Sequence, residues 1–109
     1  MNKVILIGRL TRDPELKFTP NTGHAVASFT LAVDGQKDDT LFVNIVAWNK
    51  QAENCAQYLT KGREAAVVGR LQIRSYEKDG QKRYITEVVA ESVEFLGSKP
   101  QDAQDAEPF

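Results

Sequence analysis

The chain has 109 residues, of which 41% are hydrophobic and 27% are charged. This length allows one domain with a buried core and excludes a multidomain enzyme. The net charge of −1 divides into +1 for residues 1–97 and −2 for residues 98–109. The first apolar run, residues 4–7, is too short for a signal peptide or a membrane span, and the single cysteine excludes an internal disulfide. We therefore expect a cytoplasmic domain followed by an acidic tail.

The first half of the chain contains three short runs of β-branched and apolar residues, each bounded by residues that favour turns. These runs predict strands at residues 4–10, 25–33 and about 41–48. The turn signals between the first two strands, residues 11–14 and 19–23, contain Pro, Asn, Asp and Gly. No strand is predicted between those two turns.

The next segment changes from strand periodicity to helix periodicity. Apolar residues recur there at i, i+3, i+4 and i+7, namely Ala52, Cys55, Ala56 and Leu59. This spacing predicts one short amphipathic helix. Asn49 is the predicted N-cap, Gly62 is the predicted stop signal, and Lys61 is expected in the last turn. Cys55 on the apolar stripe is expected to be a buried residue and not a catalytic thiol.

Two long strands follow, at about residues 65–76 and 83–95, and Asp79-Gly80 between them is a strong signal for a hairpin turn. In the first of these strands, one alternate set of side chains is expected to face the core: Ala65, Val67, Gly69, Leu71 and Ile73. The opposite set is mostly polar or basic in its second half and includes Arg70, Gln72, Arg74 and Tyr76. Basic and aromatic groups therefore share one face.

Three strands, a helix and two long strands follow the element order of the OB-fold, an all-β, five-stranded Greek-key barrel with a helix at one end. An SH3-like barrel or a sandwich also uses five strands. The length of the last two strands favours the OB-fold, because they can bend around a barrel and project beyond it as a hairpin.

Residues for catalysis are few. His24 is the only histidine, and no Cys or paired acid lies near it in sequence. The phosphate-binding, zinc-protease and C-x-x-C motifs do not occur. We therefore expect no enzyme, no cofactor and no metal.

The third predicted strand carries aromatic and polar side chains on the same face. Phe42 and Trp48 have the same parity as Asn44, and Lys50 follows the strand exit. Core packing is the usual role of a single aromatic residue. However, aromatic platforms combined with Lys and Arg suit single-stranded nucleic acid, because every base can stack and every phosphate needs a cation.

With these features in place, the sequence resembles the bacterial single-stranded DNA-binding protein family. The similarity covers roughly residues 2–97 and the final residues, and its motifs lie at residues 2–10, 13–15, 25–32, 58–62, 68–71 and 84–88. The resemblance implies an OB-fold, usually a homotetramer, that coats single-stranded DNA without sequence preference during replication, recombination and repair. It also implies the functional residues: Phe42, Trp48 and Tyr76 for base stacking, Lys50 and Arg74 for phosphate contacts, and Arg9, Lys61, Arg70 and Lys78 as further basic candidates.

Two segments depart from the family pattern. The loop at residues 34–40 is short and acidic and lacks an aromatic residue. The tail, residues 98–109, is expected to be disordered and to dock on replication, recombination and repair proteins through its last residues, Asp105, Glu107, Pro108 and Phe109. Glu107 occupies a position that is usually aliphatic in the family. The alternative function is an accessory or protein-interaction OB module of a replication or DNA-uptake complex.

Overall fold

The computed structural model describes residues 1–97, which form six strands and one helix. The elements are β1 (Val4–Leu10), β2 (Glu15–Phe18), β3 (Ala25–Asp34), β4 (Thr40–Trp48), α1 (Asn49–Tyr58), β5 (Glu64–Lys78) and β6 (Gln81–Leu96). The five predicted strands and the helix are all present, and a sixth strand, β2, had not been predicted. This strand has only four residues, all exposed, and its order depends on pairing with β3.

Backbone pairing closes five of the strands into a barrel. The neighbours run β1-β5-β6-β4-β3, and a further pairing of β1 with β3 completes the ring, while β2 lies outside it on β3. All pairs are antiparallel except β4–β6, which meet in parallel at Ile45↔Val88 and Val46↔Val89. This topology, with one helix between β4 and β5, is the OB-fold, as predicted.

The core fills the barrel with small and branched side chains. Its fully buried members include Leu31, Ile45, Val67 and Val88. Helix α1 covers one end of the barrel and buries Ala52 and Cys55, and Leu59 is buried just after the helix. The predicted apolar stripe of the helix is therefore confirmed at these three positions.

The predicted caps of the helix were wrong. The chain passes from β4 into α1 with no loop, so the N-cap is Trp48, which makes no side-chain capping hydrogen bond. Asn49 adopts a φ of 56° inside the element. The helix ends at Tyr58, so Lys61 and Gly62 belong to the turn beyond it. There the N–H of Gly62 donates to the carbonyl of Leu10 at 2.8 Å.

The β5–β6 hairpin is the longest feature of the fold. Asp79 and Gly80 both have positive φ angles, and Lys78 pairs with Gln81, so the hairpin turn predicted at Asp79-Gly80 is confirmed and contains only these two residues. The predicted core face is right for Ala65, Val67 and Gly69 but wrong for Leu71 and Ile73, which are 44% and 62% exposed. Strand β1 pairs with β5 only as far as Val4↔Gly69, so these two residues lie beyond the end of β1.

A bulge between Val68 and Gly69 marks the change from barrel to projection. Gly69 is required there, because a Cβ atom at this position would collide with the backbone carbonyl of Val89. The backbones of β5 and β6 therefore approach each other closely at this bulge.

Candidate nucleic-acid interface

A groove with a volume of about 600 Å³ crosses the outer face of the barrel. It is lined by side chains from β2 to β6 and the preceding turn: Arg12, Glu15, Lys17, Val26, Ser28, Phe29, Thr30, Asn44, Ile45, Val46, Trp48, Gln72, Arg74, Ile85 and Glu87. The register of β3 and β4 explains this grouping. Val26 pairs with Trp48 and Thr30 pairs with Asn44, so alternate residues of both strands project to the same side.

The three candidate stacking residues are all exposed and lie outside the core. Trp48 is 41% exposed and lines the groove directly. Phe42, at 67% exposure, lies six residues earlier on the same face of β4, about 20 Å away along the strand. Tyr76, at 46% exposure, lies on the outer hairpin opposite Arg83. Only Trp48 is therefore inside the groove, while Phe42 and Tyr76 lie beyond it.

Arg74 is the candidate phosphate ligand that the structure places in the groove. Its Nε donates to Oε1 of Glu87 at 2.6 Å, and the same oxygen accepts a hydrogen bond from Nε2 of Gln72 at 3.3 Å. The Arg74 side chain is 54% exposed and that of Glu87 only 4%. The hydrogen bond and the negative charge of Glu87 raise the pKa of Arg74 above its usual value, so the guanidinium stays cationic.

Two cations in the groove were missed by the sequence analysis. Arg12 and Lys17 line its edge, and the Lys17 side chain is 73% exposed with Nζ 3.8 Å from Glu15. The only sequence signal for Lys17 was the alternation of charged Glu15 and Lys17 with apolar Leu16 and Phe18. Four residues are too few for that alternation to predict a strand.

Three other basic candidates are exposed but do not line the groove. Lys50 is exposed at the start of α1, two residues after Trp48. Lys78 is exposed at the tip of the hairpin. Arg70 belongs to an ion network, because its Nη1 lies 3.6 Å from Oε2 of Glu91, whose Oε1 is 3.0 Å from Nζ of Lys3. The hydrogen bond and charge of Lys3, followed by the charge of Arg70, lower the pKa of Glu91.

Arg9 and Lys61 lie apart from this groove. They line a separate depression of about 470 Å³ together with Arg63. Arg9 donates through Nη1 to the carbonyl of Gly62 at 3.2 Å, and Arg63 donates to three carbonyl groups, so these cations also hold the turn before β5. The candidate tail residues Asp105, Glu107, Pro108 and Phe109 lie outside the described residues.

The residues considered for catalysis are not grouped. Nδ1 of His24 lies 3.0 Å from Oδ1 of Asn49, and Cys55 is buried, which raises the pKa of its thiol to about 11. Within residues 1–97, no cluster of three or more His, Cys, Asp or Glu side chains could hold a metal ion. Over the same range, α1 is neither long nor apolar enough to span a bilayer.

A closed OB barrel with an open groove that contains an exposed tryptophan and several cations is typical of proteins that bind single-stranded nucleic acid. The profile of the Single-strand binding protein family matches residues 1–96. The chain is 62% identical over 103 residues to Single-stranded DNA-binding protein 3 of Clostridium acetobutylicum, with 88% of this chain and 71% of that protein covered. It is 51% identical over 120 residues to the Single-stranded DNA-binding protein of Halalkalibacterium halodurans, with 100% of this chain and 70% of that protein covered. The chain belongs to the single-strand binding protein family.

Proposed function

We propose that this protein binds and coats single-stranded DNA without sequence preference. The observation that carries the proposal is the groove itself, in which an exposed Trp48 lies among the cations Arg12, Lys17 and Arg74. The family membership and the names of the relatives support the same conclusion.

The proposed mechanism combines stacking with charge neutralisation. Trp48, Phe42 and Tyr76 offer flat apolar surfaces on which bases of any identity can stack. Arg74, Lys50 and Lys17 neutralise phosphates and release condensed counterions, which makes binding sensitive to salt. Arg70, Lys78, Arg9 and Lys61 extend the basic surface on which a longer strand can continue. No catalytic step is part of this proposal.

The wider setting is also a proposal. A protein that protects exposed single strands serves replication, recombination and repair in the cytoplasm, associated with the nucleoid. A homotetramer is supported by the outer face of β1, where Ile5 and Ile7 are 67% and 54% exposed beside Val68 and Ala66 of β5. Such an apolar sheet face is costly to leave in water and suits burial against a second copy.

The tail is proposed to recruit partner proteins. Asp105 and Glu107 provide the negative charge, and Pro108 and Phe109 provide the apolar tip that enters a pocket rimmed by basic residues on other DNA-processing proteins. The test compares the full chain with a chain that ends at Gly97. Removal of the tail should abolish pull-down of replication and repair proteins and tighten DNA binding slightly, mainly at low salt, because exposed charges are screened beyond about 10 Å at 0.1 M salt. Equal recovery of partners by both chains would contradict the docking role.

The central experiment uses the only tryptophan as its probe. Oligo-dT is titrated into the protein at several salt concentrations while Trp48 fluorescence is recorded. Stacking predicts quenching, and phosphate contacts predict an affinity that falls steeply as salt rises. The near-neutral charge and the short loop of residues 35–39 favour the alternative, an accessory module that binds protein. That module would leave Trp48 fluorescence unchanged by oligo-dT.

A further inference from the structure

A negatively charged residue, Glu87, lines the groove that is proposed to bind a polyanion. It is the only charged side chain buried among residues 1–97, and it lines the groove beside Trp48 and Arg74. A buried carboxylate requires hydrogen-bond donors, and its negative charge opposes an approaching phosphate. The side chains around Glu87 must therefore explain both its burial and its negative charge in the groove.

The donors to Glu87 come from one face of β5. Gln72 lies directly across the strand pair from Glu87 and donates at 3.3 Å, and Arg74, two residues further along, donates at 2.6 Å. Both use the same carboxylate oxygen, so the two donors are held side by side. Residues two apart on a strand project to the same side, which brings both donors into the groove.

The hydrogen bond between Arg74 and Glu87 uses only one of the nitrogen atoms of the guanidinium group. The hydrogen bond is made by Nε, at the inner end of the guanidinium group. The two Nη groups lie at the outer end of a side chain that is 54% exposed. Because the guanidinium is planar, fixing Nε also fixes the plane in which the Nη groups can meet a phosphate.

We propose that Glu87 is a positioning residue that presets the Arg74 guanidinium for a backbone phosphate. The inference rests on the proposed function, because it takes Arg74 as a phosphate ligand. An arginine that is already ordered loses less rotamer freedom on binding, and this gain exceeds the repulsion between Glu87 and the bound strand. Glu87 itself makes no contact with the DNA.

Two neutral variants separate positioning from charge. Glu87→Met and Glu87→Gln both remove the negative charge, but only Gln keeps an oxygen that can accept the hydrogen bond from Nε of Arg74. Oligo-dT affinity is measured by Trp48 fluorescence across a salt series. Positioning predicts that Glu87→Met weakens binding about 2- to 10-fold, the range for ordering one long side chain, and that Glu87→Gln binds more tightly than Glu87→Met.

The opposite result overturns the proposal. If Glu87 acts only by its charge, both variants bind more tightly than the unchanged protein and by the same factor. In an Arg74→Ala background, positioning predicts that Glu87→Met no longer weakens binding. A loss of the same size in that background would also contradict the proposal.

Arg74→Lys provides a test that keeps the Glu87 carboxylate in place and applies even if Glu87→Met fails to fold. It keeps the positive charge but replaces a planar fork by a flexible ammonium group. Positioning predicts weaker binding with an unchanged salt slope, and equal affinity would overturn it. An unchanged protein that fails to bind oligo-dT would reject the proposed function itself. Normal binding with tightened Glu87 variants would reject the positioning role alone.

Discussion

The inner and outer halves of the β5–β6 hairpin share the same two strands but differ in what surrounds them. In the inner half, Ala65, Val67 and Gly69 alternate as buried residues inside the barrel. In the outer half, Leu71 and Ile73 continue the same parity but are exposed. The apolar alternation is thus a property of the strand, whereas burial depends on whether a second layer lies opposite.

The outer half also differs in charge and chemistry. Residues 71–88 contain four cations, Arg74, Lys78, Lys82 and Arg83, against three anions, Glu77, Asp79 and Glu87. Its aromatics Tyr76 and Tyr84 are 46% and 67% exposed, and Nζ of Lys82 lies 5.8 Å from the centre of the Tyr84 ring. The exposed side chains of this half can therefore serve recognition without contributing to the core.

A carboxylate introduced into each half tests whether the two halves differ in how strongly they depend on burial for stability. Val67→Asp places a carboxylate at a site with no exposure and should lower the free energy of unfolding by at least about 4 kcal/mol. Ile73→Asp makes the same change six residues away and should cost less than about 1 kcal/mol. Urea unfolding followed by circular dichroism measures both, and similar losses would show that the outer half is packed.

Like the outer half of the hairpin, the groove should contain side chains that contribute to DNA binding but little to the stability of the fold. Trp48→Ala should weaken oligo-dT binding by about 1–3 kcal/mol, the range known for stacking in single-strand binding proteins of this kind, with little change in melting temperature. The matched control is Phe18→Ala, since Phe18 is 60% exposed and lies next to Lys17 but on the opposite face of β2. Fluorescence anisotropy of labelled oligo-dT is the measurement, because Trp48 is absent from the variant. A melting temperature that falls while affinity is kept would place Trp48 in the core.

A smaller effect distinguishes groove cations from other surface cations. Lys17→Gln should lower the slope of log affinity against log salt by roughly 0.7, the value for one phosphate contact with a single strand. Lys37→Gln removes the same charge from the turn between β3 and β4, outside the groove lining, and should leave the slope unchanged. Titrations at four salt concentrations compare the two, and equal slopes would remove Lys17 from the interface.

An effect that appears only at alkaline pH concerns the buried side of the comparison. Burial raises the pKa of Cys55 from its ordinary value of 9.0 to about 11, so the unfolded thiol ionises before the folded one. The contribution of Cys55 to stability is therefore complete below about pH 9 and is lost as the pH rises toward 11. Urea midpoints at pH 8, 9.5 and 11 should fall more for the unchanged protein than for Cys55→Ala. Parallel curves would mean that the thiol is accessible to solvent.

Local signals predicted much of this fold. Asp79-Gly80 specified its turn, and the spacing of Ala52, Cys55 and Leu59 specified the helix face, because both depend on neighbours in sequence. Strand parity and the family resemblance also predicted Trp48 and Arg74, which line the same groove. What failed depended on distant parts of the chain. Strand β2 exists through pairing with β3, and the exposure of Ile73 depends on where the barrel ends.

The groove can exist only after the parallel β4–β6 contact has formed, because residues from both β4 and β6 line it. The β5–β6 hairpin grows from a two-residue turn and needs no other part of the chain. The pair Ile45↔Val88 instead joins residues 43 positions apart, which is slow because a long loop must close first. Trp48 lies on β4 and Arg74 lies on β5, and these two strands pair with opposite edges of β6. A chain that has formed only its hairpin therefore has no binding groove, and a ligand that bridges the two sides stabilises the whole barrel.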